Sequence, residues 1–88
     1  MYEEILEFGN TEVIITWSPC KVKGYITSSA RFEGSIQLCT GGSYSVYLYK
    51  PYGLGRARES GKDLKDTLLS AMRKLSQAGK LCNQMRFM

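Results

Sequence analysis

A chain of 88 residues is the length of one domain. Its 43% hydrophobic and 11% aromatic content is that of a globular chain rather than a disordered one, and no apolar run approaches the roughly 20 residues that cross a bilayer. Histidine is absent, which removes the commonest general base and metal ligand, and with them Ser-His-Asp and Cys-His chemistry.

The net charge is +4, unevenly placed. Glu3, Glu4, Glu7 and Glu12 precede the first basic residue, Lys21, and all 12 Lys and Arg lie from there onward. Such asymmetry suits a surface for a polyanion. The three cysteines, Cys20, Cys39 and Cys82, form neither a disulfide framework nor a CxxC metal pattern. Reduced thiols acting as buried filler are expected, which fits a cytoplasmic protein. The opening MYEEILEF is acidic where a signal peptide is basic, so none is read.

Taken in order, Ile5, Leu6 and Phe8 suit a strand or a short helical turn, and the Gly9-Asn10 link favours a strand over residues 2–8 joined to EVIITW in a hairpin. In the second strand Val13, Ile15 and Trp17 share one face. Pro19 breaks that strand, because it cannot donate to a ladder. KVKGYIT follows, with Val22 and Ile26 inward and Lys21, Lys23, Tyr25 and Thr27 outward. RFEGSIQLCT places Phe32, Ile36 and Leu38 on one parity; Gly34 on the same parity marks a bulge or the close approach of another segment. Thr40 to Ser43 is a tight turn into SYSVYLYK, where Tyr44, Val46 and Leu48 alternate with Ser45, Tyr47 and Tyr49.

PYGLGRARESG reads as a basic, glycine-rich loop. The helix after it carries Leu64, Leu68, Ala71, Met72, Leu75 and Ala78 on one stripe. Ser60 is read as its N-cap with Asp63 three residues on, and Gly79 as its terminator. These segments predict an α+β fold: an antiparallel sheet of four to five strands covered on one face by a single C-terminal amphipathic helix. The boundaries are one domain over 1–88, strands at about 2–8, 12–17, 21–27, 32–40 and 44–50, a basic loop at 51–61, a helix at about 61–78 and a tail at 80–88.

The face opposite the helix then presents lysines between tyrosines. Lys21, Lys23, Tyr25, Tyr47 and Tyr49 suit stacking on bases and neutralisation of phosphates. Arg56, Arg58 and Lys62 add bidentate and helix-N-terminal anion binding. GRARESGKD is not a P-loop: five residues separate its glycines, and Asp63 stands where Ser or Thr holds magnesium. The expectation is a small non-catalytic binding protein that takes nucleic acid, single strands preferred, with low sequence specificity. It needs no cofactor, metal or membrane. The alternative is an inhibitor or adaptor that binds a host protein, such as a phage- or plasmid-encoded inhibitor of a host defence nuclease of the anti-CRISPR kind. A homodimer is admitted by the small core that 88 residues enclose.

Overall fold

Alternating apolar residues and short turns build an antiparallel meander. The computed structural model describes residues 2–53 and 55–86, with backbone alone from residue 78 onward. Its strands are β1 (Tyr2–Phe8), β2 (Thr11–Trp17), β3 (Lys23–Ser28), β4 (Glu33–Leu38), β5 (Tyr44–Tyr49) and β6 (Arg56–Gly61), each paired with the next, followed by helix α1 (Leu64–Arg86). The fold is α+β, with six strands rather than four or five and one C-terminal helix on the sheet.

The turns follow local chemistry. Gly9, at φ 63°, opens the two-residue link between Phe8 and Thr11, a conformation that glycine adopts without Cβ strain. Pro19 ends β2 as expected, and the chain turns through Lys21, whose N–H donates to the Ser18 carbonyl (2.9 Å). Gly41 and Gly42, at φ 97° and 86°, turn β4 into β5. At the next hairpin the Lys50 N–H donates to the Gly55 carbonyl at 3.1 Å.

The registers assign the two faces. The inner face carries Val13, Ile15 and Trp17 from β2, Ile26 from β3, Ile36 from β4, Val46 and Leu48 from β5 and Ala57 from β6, all buried. Helix α1 lies along β6 and β5 and adds Leu68, Ala71 and Leu75 to this core. Two small positions let large neighbours cross the middle strands. Gly24 leaves room for Ile15, Trp17 and Ile36, and the Trp17 ring reaches that of Tyr44 on β5 at 6.4 Å between centroids. The buried indole N–H donates to the Glu4 carboxylate (3.0 Å), which satisfies a polar group that burial otherwise penalises. This bond accounts for a carboxylate on the inner face of β1, opposite to Glu3 and Glu7. Gly34 is a close approach and not a bulge, because the β4–β5 register is unbroken and a Cβ at Gly34 would meet the Tyr47 carbonyl.

Several expectations need correction. RARESG is strand β6, not part of a loop over 51–61, because its six residues pair in continuous register with β5 and α1 covers it. The helix cap is therefore Asp63, not Ser60: the Asp66 N–H donates to the Asp63 Oδ2 at 2.9 Å, and the Thr67 hydroxyl donates to the Asp63 carbonyl at 2.6 Å. The helix starts at Leu64 rather than 61. It continues through Gly79 to Arg86, so residues 80–86 are helical and not a tail. Glycine ends a helix only where it turns left-handed, and KLCNQMR supplies good helix formers beyond it. Phe87 and Met88 lie outside the described residues. Val22 is 44% exposed rather than inward, because β3 begins one residue later, and Cys20 is exposed in the same turn rather than buried.

Two predictions follow from this packing. Gly34→Ala should destabilise the fold by about 1–3 kcal/mol, since the obstacle is backbone that cannot rotate away. Gly24→Ala should cost less, because its neighbours are side-chain atoms at 3.0–3.2 Å. Urea unfolding followed by the emission of buried Trp17 measures both. Glu59, hydrogen-bonded by Lys74 at 2.9 Å, has its carboxyl held below the ordinary 4.5. A lowered pKa stabilises the fold above pH 4.5 and ceases to do so as pH falls through the folded-state value. The melting-temperature gap between wild type and Glu59→Gln should therefore close on acidification below 4.5.

Candidate functional site

With the apolar residues turned inward, the outer face is left to polar and aromatic side chains. Antiparallel register aligns them in rows. One row runs Glu3, Thr16, Tyr25, Ser35, Tyr47, Arg58 from β1 to β6. The neighbouring row runs Ile5, Ile14, Thr27, Glu33, Tyr49, Arg56. The charge asymmetry of the sequence thus becomes a spatial one. Glu3, Glu7 and Glu12 lie at the β1–β2 end, and Arg56 and Arg58 lie on β6, about 24 Å away across the sheet.

Between these poles sits an aromatic platform. Tyr47 and Tyr49 have ring centroids 5.8 Å apart, and the Arg58 guanidinium lies over the Tyr47 ring at 4.8 Å. Arg56 pairs directly with Tyr49 across the β5–β6 ladder. Tyr25 is half exposed, and its hydroxyl donates to Glu33 Oε1 at 2.9 Å. The Tyr49 hydroxyl donates to the same oxygen at 3.3 Å. One carboxylate therefore holds two rings in place before any ligand arrives, which lowers the ordering cost of binding.

The surface is also shaped. A depression of about 380 Å³ is lined by Tyr47, Tyr49, Lys50, Pro51, Gly53 and Arg56. A second, of about 280 Å³, adjoins it through Tyr47 and Arg56 and continues to Arg58. A third, of about 330 Å³, adjoins it through Pro51 and runs between the β3–β4 turn and the β5–β6 hairpin, where Arg31, Glu33 and Tyr52 face it. The three make a trough along the β6 side of the outer face and over the hairpin. Its cations are Arg58, Arg56, Lys50 and Arg31, and its rings are Tyr47, Tyr49 and Tyr52.

Of the residues singled out in the sequence, Lys23, Tyr25, Tyr47, Tyr49, Arg56 and Arg58 share the outer face. Lys21 does not join them. It sits in the β2–β3 turn with its ammonium 5.6 Å from the Tyr2 ring centroid and 5.8 Å from that of Trp17. Lys62 is also elsewhere, in the link between β6 and α1 beside Glu59, Asp63 and Asp66. Sequence reasoning missed Glu33, Lys50, Tyr52 and Arg31 as site residues. The signal for them was the alternation Arg56, Arg58, Ser60 against Ala57, Glu59. Read as a strand, it shortens the loop to a hairpin tip at KPYGLG and brings Tyr52 beside the β3–β4 turn.

Among the described residues no group of three or more His, Cys, Asp or Glu is placed to hold a metal ion, and no helix is long and apolar enough to cross a membrane. Comparison of the chain with models of known protein families, with characterised proteins and with solved structures gives no match.

The hydrogen bond to Glu33, reinforced by the Tyr49 hydroxyl, pushes Tyr25 up to about 12 from its ordinary 10.0, because ionisation would set a phenolate against a carboxylate. A raised pKa means that this contact supports the fold below pH 10.0 and stops doing so as pH rises through about 12. An alkaline titration of tyrosine absorbance should show one late-ionising phenol. Glu33→Gln should return it toward 10.0, and Tyr25→Phe should remove it.

Proposed function

We propose that this protein binds single-stranded nucleic acid across the outer face of its sheet, without catalysis. The observation that carries the reading is the trough in which the half-buried rings of Tyr47 and Tyr49 on β5 stand beside Arg58 and Arg56 on β6, on the outer face of an antiparallel sheet. Every base has a face that stacks on such rings, so the mode tolerates many sequences; each stack is worth about 1–3 kcal/mol.

The electrostatics orient the strand. Glu33 lies on one side of the platform and repels phosphate, whereas Arg56, Arg58 and Lys50 lie on the other side and attract it. The sugar-phosphate backbone therefore runs along β6 and the hairpin, and the bases point inward over Tyr47 and Tyr49. Arg58 lies over the Tyr47 ring at 4.8 Å and supplies N–H donors for a phosphate beside it, a pairing suited to guanidinium. A duplex offers no exposed base faces to the rings, so single strands are preferred.

A second reading has its own support at the opposite pole. Ile5 is 56% exposed, pairs with Ile14 on the outer face, and has Glu3, Glu7 and Glu12 around it. An apolar spot rimmed by carboxylates suits a basic protein partner, as an inhibitor or adaptor of a nucleic-acid-binding enzyme requires.

Fluorescence anisotropy with labelled pyrimidine single strands and duplexes, in low and near-physiological salt, separates the two. Single strands should bind more tightly than duplexes. The double variant Arg56→Ala/Arg58→Ala should weaken binding and reduce the slope of log affinity on log salt by up to about 2. Tyr47→Ala should weaken binding by roughly 5- to 150-fold at unchanged slope. Absence of binding at near-physiological salt, or an arginine variant that binds with wild-type affinity and slope, overturns the nucleic-acid reading and leaves the protein-partner one.

A further inference from the structure

The third depression has a chemistry that low-specificity stacking does not need. It lies at the end of the trough, where the β5–β6 hairpin stands beside the β3–β4 turn. Tyr52, at the hairpin tip, is 97% exposed, so its ring is not spent on the core. Pro51 lies next to it on the same wall, and together they offer two flat apolar surfaces to a planar ligand. Glu33 and Arg31 face the same depression from the other wall. A volume of about 330 Å³ accommodates one nucleobase with part of its sugar.

The acceptor there is anchored, and acceptor and donor are both unspent among the described residues. Both tyrosine hydroxyls donate to Oε1 of Glu33, which anchors the carboxylate, and no described residue donates to Oε2. No ion pair joins Arg31 to Glu33 among the described residues, although they are two positions apart on the same wall. Arg31 stands in a left-handed conformation, φ 64°, which places it at the turn rather than in the β4 ladder. A ligand that meets this wall finds a carboxylate acceptor beside a guanidinium donor. Since the open carboxylate oxygen of Glu33 repels phosphate and accepts only from a donor, what reaches it is the donor edge of a base and not the backbone.

Resting on the reading of the trough as a single-strand site, we propose that this cleft is a base-recognition pocket that selects guanine. Guanine presents on one edge the O6 acceptor followed by two donors, N1–H and N2–H. Arg31 donates to O6, and the open oxygen of Glu33 accepts from N1–H and N2–H while the ring stacks on Tyr52. Adenine and uracil each present a single donor group on that edge, and cytosine presents its donor beside two acceptors that the carboxylate repels. The protein then combines sequence-tolerant stacking along the trough with one selective position at its end.

The test uses labelled short uridine strands carrying one central guanosine, inosine, adenosine or cytidine, together with the all-uridine strand, on the intact protein. The guanosine strand should bind about tenfold more tightly than the all-uridine strand, and inosine, which lacks the N2 amine, should fall between. Glu33→Gln should abolish the ranking. Its single carbonyl oxygen is taken by the tyrosine hydroxyls, and its amide turns a donor toward the donors of guanine. Loss of a negative charge alone would instead raise affinity for every strand equally and keep the ranking. Tyr52→Ala should lower affinity for the guanosine strand more than for the uridine strand, with Trp17 emission unchanged as the check on folding. Equal affinity for all strands, with dependence on Arg56 and Arg58 retained, overturns the guanine pocket and leaves the single-strand reading standing. No binding of any strand overturns both.

Discussion

The structure depends on letting large side chains lie over the middle of the sheet. A six-stranded meander has a wide inner face, and a single helix lying along β5 and β6 does not span it. The sequence solves this by removing side chains where β3 and β4 run. Gly24 and Gly34 leave the space into which Ile15, Trp17, Ile36 and Leu48 extend, so residues of β2 meet residues of β5. A core assembled this way is small, and its margin is correspondingly thin. The Trp17 indole contributes a large share of it, and Glu4 is the partner that lets the indole N–H be buried at all. An acidic residue on the core side of an edge strand, odd on hydrophobic patterning alone, is thereby part of the packing.

The same arrangement frees the outer face. Because every large aliphatic side chain of β2 to β5 that alternation sends inward is used there, Tyr25 of β3 and Tyr47 and Tyr49 of β5 are left on the solvent side, with their rings half covered by neighbours, while Tyr44 joins the core. Cross-strand tyrosines stabilise a sheet on their own account, and Tyr47 and Tyr49 do touch. Yet the contacts that hold Tyr25 and Tyr49 run through the half-buried carboxylate of Glu33, at 2.9 and 3.3 Å, and not through apolar packing. Such contacts at the sheet surface compete with water, so their net contribution to stability is modest. Preorganisation is the property those contacts do confer.

Much of this was legible in the chain. Period-two alternation located β2 to β5, and local backbone chemistry located the break at Pro19 and the glycine turn after Thr40; β1 is favoured only through the Gly9-Asn10 link, and Gly34 is marked as special with bulge and close approach both open. The inward and outward sets of β3 to β5 were also right, apart from Val22 and Lys21, which lie in the turn before β3. The sixth strand was not legible, since Arg, Glu, Ser and Gly have little strand preference of their own. RARESG is a strand because β5 offers it a ladder and α1 covers it, and both are tertiary effects. The error propagated. A loop at 51–61 put the helix cap at Ser60, detached Arg56 and Arg58 from the tyrosine rows, and left Tyr52 as one more surface residue. The helix end was misread for a related reason, since Gly79 is permissive of a turn but does not compel one.

The two arginines on β6 bear on whether the site is more than a guarded edge. An exposed edge strand needs charge to keep other strands from adding to it, and lysine serves that purpose as well as arginine. Charge alone does not account for Arg58 over Tyr47 at 4.8 Å. A guanidinium, flat and weakly hydrated, suits that seat over a ring better than an ammonium does. A guard needs no defined orientation, whereas a phosphate contact does. Arg56 stands opposite Tyr49 in the next pair of the ladder, so two rings on β5 face two arginines on β6 beside a trough that continues past them. The residue type and its seat over a ring together fit a surface that holds an anionic chain in register better than one that merely repels neighbouring strands.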